Sequence, residues 1–178
     1  MGESVYKPFK NILVGRDEIS EKVKELGRQI SEDYRGTDLV LVGVLKGAVV
    51  FLSDLMRELT MDVEVDFMAV TSYGNKTTSS GSVKIIKDMD ISISGKHVLI
   101  IEDIIDTGLT LSHLKELLHT RDPLSVKICA IFDKVERRKV EICCEYQGIV
   151  IPDKFVVGYG LDFAGKYRNL PDLYVIDE

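Results

Sequence analysis

The sequence predicts an α/β fold with a mainly parallel central sheet flanked by helices. Apolar runs long enough for buried strands alternate with segments whose apolar residues recur every three or four positions. Strands that alternate with helices are joined by crossover connections, which favour parallel pairing. A chain of 178 residues with 45% apolar and 29% charged residues can bury one core. We therefore expect a single domain over residues 1–178.

The first predicted elements are a helix, a strand and a second helix. Asp17 is placed to cap a helix that runs to about Tyr34. The apolar face of that helix consists of Ile19, Val23, Leu26 and Ile30. Residues 38–45 are apolar enough for a fully buried strand, and a sharp turn follows it. The apolar stripe of the next helix contains Phe51, Leu52, Leu55, Met56 and Leu59.

The remaining elements continue the alternation. Strands are predicted at Val63 to Val70, Val83 to Lys87, Lys96 to Ile101 and Ser125 to Phe132, and a helix at Thr110 to His119. Shorter strands are expected within Ile142 to Val157 and at Leu173 to Ile176. In such sheets ligands bind at the carboxyl ends of the strands, so functional residues are expected there.

Composition excludes several classes of function. A net charge of −6 argues against a broad nucleic-acid-binding surface. No apolar stretch approaches the roughly 20 residues of a membrane helix, and the first residues do not resemble a signal segment. We therefore expect a cytoplasmic protein without nucleic-acid or membrane partners. The three cysteines and three histidines lack disulfide or zinc-binding spacing, which makes a zinc enzyme improbable.

The most informative segment runs from Val98 to Thr110. An apolar strand leads into two adjacent acids, Glu102 and Asp103, and a third acid, Asp106, follows. The next turn contains Thr107, Gly108, Leu109 and Thr110. Hydroxyls, backbone N–H groups and a helix N-terminus together predict a site for one phosphate. Acids beside it suit a sugar phosphate, because carboxylates accept from a ribose diol or hold Mg²⁺. The alternative, a capped helix with incidental acids, leaves the three acids unexplained.

A second segment does not fit a packing role. Residues 71–82 include seven Ser or Thr, two Gly and one aromatic residue, Tyr73. We expect this segment to be mobile. Two interpretations remain open, a solvated hairpin and a lid that closes over a reacting centre.

The segment VLIIEDIIDTGLTL resembles the phosphoribosyl-pyrophosphate signature of type I phosphoribosyltransferases. Four further segments, in the family's order, resemble the hypoxanthine-guanine branch. They are Gly43 to Gly47, Ser72 to Gly74, Asp133-Lys134, and Lys154 to Asp162 with Tyr167 to Leu170. The resemblance implies the type I fold, with a small hood formed by the N-terminal and C-terminal segments and a mobile loop at about 71–82.

The resemblance also implies a role for each matching residue. The implied pyrophosphate-binding residues are Lys46, Gly47 and Arg168. Lys46 and Gly47 lie in a turn in which the peptide before the lysine can be cis. Purine binding falls to Lys134, Phe155, Val156 and Asp162. The mobile loop contains Ser72 and Tyr73, ribose and phosphate binding falls to residues 102, 103 and 106–110, and the Mg²⁺ ligands are Glu102, Asp103 and Asp162.

The residues by themselves leave alternatives. Lys46 could be a solvated charge, although Gly47 allows backbone N–H groups to approach a diphosphate closely. Phe155 is more typical of a core residue than of a stacking platform. Lys134 belongs to a charge-rich run, residues 133–139, that is typical of a solvated face. Because Lys134 follows a strand directly, we separate it from Arg137, Arg138 and Lys139 and place it on the ligand side.

The expected function is transfer of a phosphoribosyl group to hypoxanthine or guanine, which gives IMP or GMP and pyrophosphate. Mg²⁺ assists, Asp106 accepts the proton from N7, and a homodimer or homotetramer is expected. One alternative is a regulatory protein of the same fold that senses phosphoribosyl pyrophosphate. Another is a transferase that prefers xanthine, adenine or a pyrimidine.

Overall fold

The computed structural model describes residues 11–72 and 83–176. The strands are β1 (Ile12–Val14), β2 (Leu39–Leu45), β3 (Glu64–Ser72), β4 (Val83–Lys87), β5 (His97–Ile105), β6 (Ser125–Asp133), β7 (Tyr146–Val150), β8 (Val156–Val157) and β9 (Leu173–Val175). The helices are α1 (Arg16–Asp33), α2 (Val49–Glu58) and α3 (Leu109–His119), with a short 3₁₀ turn at Val135–Arg137.

The main sheet has six strands in the order β4-β3-β2-β5-β6-β7. All neighbours pair in parallel except β3 and β4, which pair antiparallel at one edge. Helices α1 and α2 pack on one face and α3 packs on the other. This arrangement confirms the predicted α/β class with a mainly parallel sheet.

Strand β5 shows why the central strands contain apolar residues at successive positions. Leu99 and Ile101 belong to the core beneath α1 and α2, whereas Val98 and Ile100 belong to the core beneath α3. Successive side chains of a strand point to opposite faces, and both faces here are covered. The same burial applies to β2 from Leu39 to Val44.

A second, three-stranded antiparallel sheet has the order β1-β9-β8. Asp172 joins this sheet to α1, because its Oδ1 accepts from the backbone N–H of Arg16 at 2.8 Å. The Arg16 guanidinium also donates to both carboxylate oxygens, at 3.1 and 2.8 Å. Strand β1 was not predicted, because three residues are too few to show a period.

Two sequence predictions are wrong in detail. Asp17 does not cap α1, since Gly15 is the N-cap and Asp17 lies inside the first turn. The distant Asp172 accepts from Arg16 N–H in its place. Strand β5 continues to Ile105 instead of ending at Ile101, because its ladder with β6 continues. In the described part of the chain, no helix is long and apolar enough to cross a membrane.

Candidate active site at the carboxyl ends of the strands

The parallel sheet brings the predicted site residues to one edge. Gly47 follows β2, Asp106 follows β5 and Lys134 follows β6, and these three strands are neighbours. Glu102 and Asp103 lie within the last residues of β5. Parallel strands end at the same edge, so residues distant in sequence meet there.

The two adjacent acids form a carboxylate pair in which Asp103 is buried and Glu102 is half-buried. Asp103 Oδ1 accepts from the backbone N–H of Ile104 at 2.8 Å, and the Asp103 side chain is buried. Burial and the charge of Asp103 raise the pKa of Glu102 well above its ordinary value. Burial also raises the pKa of Asp103. A cation or ribose hydroxyls at this point would relieve the repulsion between the two groups.

Gly47 lies against this acid pair. A Cβ atom at residue 47 would lie 1.5 Å from Asp103 Oδ2, so only glycine fits. The peptide between Leu45 and Lys46 is cis, as the family resemblance led us to expect. Lys46 is exposed, which leaves both of its interpretations open.

The turn after β5 opens helix α3. Gly108 is the N-cap of α3 and has a φ of 81°, a left-handed conformation that glycine adopts without strain. A cavity of about 220 Å³ lies above the turn. Its lining includes Glu102, Asp103, Asp106, Thr107, Gly108 and Thr110, whereas Leu109 lies outside the lining. The first N–H groups of α3 and the helix dipole make this cavity suited to an anion.

Asp106 lies beside an arginine that the sequence analysis did not connect with it. Asp106 Oδ1 is 2.7 Å from Nε of Arg137. This contact is an ion pair without hydrogen-bond geometry, since Oδ1 is buried and accepts from no donor of the described residues. Arg137 is exposed, as a solvated face predicts, but its guanidinium also contacts the candidate site through Asp106.

Arg138 departs from the solvated-face interpretation. Its Nη2 lies 2.8 Å from both carboxylate oxygens of Asp133, which is fully buried. Gln147 Nε2 donates to the same carboxylate at 2.6 Å. Lys139 N–H donates to Thr107 O at 2.9 Å, so this segment supports the phosphate turn from below.

Lys134 is buried, with 7% of its side chain exposed. Its Nζ lies 3.7 Å from Asp153 Oδ1, and its backbone N–H donates to Ile105 O at 2.9 Å. The solvated-face interpretation is therefore wrong for Lys134 too. A buried ammonium is costly unless it meets acceptors, so this position requires a partner such as a carbonyl oxygen.

The predicted purine segment contributes an exposed aromatic ring. Phe155 is 51% exposed and meets Phe163 edge to face, with 5.6 Å between the ring centroids. The interpretation of Phe155 as a core residue is therefore wrong. Val156, the next residue, is buried in β8. An exposed ring beside a buried strand is available to stack on a planar ligand.

Asp162 and Arg168 form an ion pair. Arg168 Nη2 is 2.5 Å from Asp162 Oδ1, and Asp162 Oδ2 accepts from the N–H of Gly165 at 2.8 Å. Arg168 Nη1 also donates to Gly160 O at 2.6 Å. The structure thus brings these two predicted site residues together. Both carboxylate oxygens of Asp162 are engaged, and a metal ion at this residue would compete with those contacts.

The predicted loop at about 71–82 falls largely outside the described residues. Ser72 ends β3 and pairs with Val83 of β4, so the segment connects two antiparallel strands. Tyr73 lies outside the described residues. The choice between a lid and a solvated hairpin stays a prediction.

The acid pair is the part of the site that fits Mg²⁺. Among residues 11–72 and 83–176, three or more His, Cys, Asp or Glu side chains do not cluster to hold a metal by themselves. Mg²⁺ commonly takes one or two carboxylates and completes its shell with substrate phosphates and water. Glu102 and Asp103 offer such oxygens, and their mutual repulsion favours a cation between them.

Comparisons with known proteins agree with this geometry. Residues 15–164 match the family model described as phosphoribosyl transferase domain. The hypoxanthine-guanine phosphoribosyltransferase of Bacillus subtilis is 51% identical over 168 residues, which cover 94% of this chain and 93% of that protein. The hypoxanthine phosphoribosyltransferase structure from Staphylococcus aureus superposes with a TM-score of 0.94 at 46% identity, covering 99% of this chain and 96% of that one.

Some relatives are much longer. The bifunctional protein TilS/HprT of Listeria monocytogenes is 49% identical over 174 residues, which cover 98% of this chain but 27% of that protein. The chain therefore spans about a quarter of the length of this relative.

Proposed function

Because this chain belongs to the phosphoribosyl transferase family, in its hypoxanthine-guanine branch, we propose that it joins hypoxanthine or guanine to 5-phosphoribosyl 1-pyrophosphate. The products are IMP or GMP and pyrophosphate. One observation carries the proposal: a buried ammonium, Lys134, lies at the same sheet edge as the acid pair and the phosphate turn. The edge thus offers partners for an oxopurine and for a ribose phosphate together.

The acid pair and the turn hold the sugar phosphate. The ribose hydroxyls donate to Glu102 and Asp103, which accept as carboxylates. The 5′-phosphate accepts from the turn of residues 107–110 and from the first N–H groups of α3. Because the acids and the turn follow one another along β5 and α3, they fix the ribose and its phosphate in one orientation.

Departure of pyrophosphate from C1 requires stabilisation of negative charge. Lys46 and Arg168 supply positive charge, and Gly47 lets backbone N–H groups approach the leaving group. Glu102 and Asp103 would hold Mg²⁺, which would supply further charge neutralisation. Asp162 positions Arg168 through the 2.5 Å ion pair.

The purine lies between Phe155 and the ends of β5 and β6. The Lys134 ammonium donates to the 6-oxygen, and Phe155 stacks on the ring. Val156 provides the buried apolar base of this position. Asp106 accepts the proton from N7 as the base attacks C1. In this proposal the sheet β1-β9-β8 is the hood, and a lid formed by Ser72 and Tyr73 excludes water.

A product assay with separate bases tests the function. Purified protein with Mg²⁺ and phosphoribosyl pyrophosphate receives hypoxanthine, guanine, xanthine, adenine or uracil, and the nucleotide is measured by chromatography. We expect IMP and GMP, with loss of product when EDTA removes the metal. If the protein binds the donor but makes no product from any base, the result would favour a regulatory protein that senses phosphoribosyl pyrophosphate. If only xanthine gives a product, the result would favour a transferase that prefers xanthine.

The proposal includes a homodimer or homotetramer in the cytoplasm. Val49 and Met56 lie seven residues apart on α2 and are exposed, and Val65 of β3 is exposed as well. Residues seven apart share one helix face, so α2 presents apolar side chains outward. Sedimentation equilibrium of the wild-type chain measures the oligomeric state, and a monomer at micromolar concentration would refute this part.

A further inference from the structure

Four alternating charges connect the two groups that act on the base. Asp106 Oδ1 lies 2.7 Å from Arg137 Nε, and Arg137 Nη1 lies 3.1 Å from Asp153 Oδ1. The same Asp153 oxygen lies 3.7 Å from Lys134 Nζ. Asp153 and Arg137 thus span the space between the proton acceptor and the base-reading lysine.

The backbone fixes this arrangement. Residues 135–137 form a 3₁₀ turn directly after β6, in which Arg137 N–H donates to Lys134 O at 3.0 Å. This turn places the Arg137 side chain beside the loop that follows β5. Hydrogen bonding to Asp153 and the charge of Asp106 raise the pKa of Arg137, so the guanidinium remains charged.

Exposed ion pairs are commonly incidental, but this set of contacts ends at a buried group. Lys134 has 7% of its side chain exposed, whereas Asp106 is 44% exposed and only its Oδ1, which faces Arg137, is buried. A buried charge needs compensation by a neighbour. Arg137 and Asp153, each 44% exposed, supply that compensation from the solvent side.

We propose that Arg137, held by Asp153, is a positioning residue that sets the location of Asp106 relative to Lys134. This inference rests on the proposed function. Arg137 lies against the buried Asp106 Oδ1, so its charge holds that oxygen, while the side chain as a whole is 44% exposed and leaves Oδ2 to accept from the purine N7–H. Asp153 contacts both Arg137 and Lys134. It thereby fixes the distance between Asp106, which accepts from N7–H, and Lys134, which donates to the 6-oxygen of the same base.

Four single variants and one double variant test the proposal against the wild type. Arg137→Gln removes the charge, Arg137→Lys keeps it, and Asp153→Asn releases Arg137 from the other side. Arg35→Gln is the matched control, because it makes the same substitution at an exposed arginine that precedes β2 and therefore lies at the opposite end of the strands. Steady-state kinetics with hypoxanthine and with the pyrophosphate donor are measured separately, and thermal melts check that each variant is folded.

We expect Arg137→Gln to lower kcat about 10- to 100-fold, the range that misplacement of a reacting group produces. The KM for the donor should change less than about twofold, because the ribose and phosphate contacts are intact, whereas the KM for hypoxanthine should rise. Arg137→Lys should restore part of kcat. The double variant Arg137→Gln/Asp153→Asn should be no slower than Arg137→Gln alone, since both substitutions break one unit.

Each other outcome overturns the proposal. If the wild type is active and Arg137→Gln has the same kcat and KM, Arg137 does not position Asp106. If kcat is higher in Arg137→Gln than in the wild type, the contact between Arg137 and Asp106 inhibits the reaction. Equal losses for donor and base, or an equal loss in Arg35→Gln, would indicate a general structural or electrostatic effect. If the wild type makes no nucleotide from any 6-oxopurine, the proposed function is refuted, and the role of Arg137 that rests on it is refuted with it. If Arg137→Gln does not fold, Arg137→Lys and Asp153→Asn decide the question by the same donor-and-base comparison.

Discussion

At the scale of one residue, we expect Lys134 to decide base choice. Its buried ammonium would donate to a 6-oxo group but would meet only an amino group in adenine. Sites built around one hydrogen bond reject an analogue that lacks it by about 10⁴-fold or more. We expect kcat/KM for adenine at least about a thousandfold below that for hypoxanthine, a bound that allows for incomplete desolvation.

Lys134→Ser should narrow that gap by weakening hypoxanthine and guanine, with little gain for adenine. Competition between bases at saturating donor measures the ratio. Lys154→Ser, at an exposed position of the purine segment, is the control and should leave base preference unchanged. An unaltered ratio in Lys134→Ser would remove Lys134 from base recognition.

Asp106 is expected to supply the proton acceptor. Asp106→Asn keeps the shape of the side chain but removes the basic oxygen, so kcat should fall by about 10²-fold or more. Binding of the donor, measured by calorimetry, should be retained because the acid pair and the phosphate turn are unchanged. Asp62→Asn, a substitution at an exposed carboxylate outside the cavity, is the control. A wild-type kcat in Asp106→Asn would exclude general-base catalysis by this residue.

The sequence could predict Lys134 but not its neighbours. Lys134 follows an apolar strand directly, which places it at the ligand edge whatever the tertiary contacts are. Arg137 and Arg138 depend on a 3₁₀ turn and on partners in other segments, Asp106 and Asp133. Hydropathy does not encode such contacts. A signal was nevertheless present in Asp133, an acid that directly follows the apolar run of residues 128–132 and therefore requires a cation.

At the scale of elements, the turn between β2 and α2 depends on the missing side chain of Gly47. In Gly47→Ala the new methyl group would overlap Asp103 Oδ2, so either the turn or the carboxylate must move. We expect weaker donor binding, by about tenfold or more in Kd, because a 1 Å displacement affects ligand geometry strongly. Calorimetric titration of the donor with Mg²⁺ measures the change.

Gly15→Ala is the matched control for that substitution. Nothing lies within 4 Å of a Cβ atom at residue 15, and the cost is limited to the helix N-cap, about 1 kcal/mol or less. We expect its donor affinity to equal that of the wild type. Retained affinity in Gly47→Ala would mean that the close approach to Asp103 plays no part in binding.

The elements that the sequence predicts well are those buried on two sides. Strands β2, β5 and β6 each contain a continuous apolar run, and α2 and α3 carry clear apolar stripes. Strands β1 and β8 have three and two residues, so their pairing depends on distant partners. The end of β5 was also missed, because its last residues are held by the ladder with β6 and two of them are acids.

At the scale of the whole molecule, Asp172 ties α1 to the second sheet. Hydrogen bonding to Arg16 lowers the pKa of Asp172 despite its burial. A carboxylate with a lowered pKa stabilises the fold above its unfolded pKa, and that contribution is lost as pH falls through the folded pKa. We therefore expect Asp172→Asn to lower the melting temperature at pH 7 by about 2 °C or more. Below about pH 4, the melting temperature of the variant should depend less on pH than that of the wild type.

Thermal melts from pH 7 to pH 2 measure this effect. Asp62→Asn serves as the control again, since its carboxylate is exposed. The wild type and Asp62→Asn should lose stability together as the solution is acidified, while Asp172→Asn starts lower and converges with them. Parallel curves for all three proteins would contradict the assigned role of Asp172.

The close stacking of backbone at the active edge also restricts how this sequence can vary. Gly160 has a φ of 98°, and a Cβ atom there would lie 2.2 Å from the carbonyl oxygen of Gly47. Gly47 in turn has no room on its Asp103 side. A second substitution therefore cannot easily compensate for the loss of either glycine. A side chain at residue 160 would overlap the backbone of Gly47, and a side chain at residue 47 would overlap Asp103. A mutant library that seeks new base preferences should keep both codons fixed and diversify exposed positions such as Phe155.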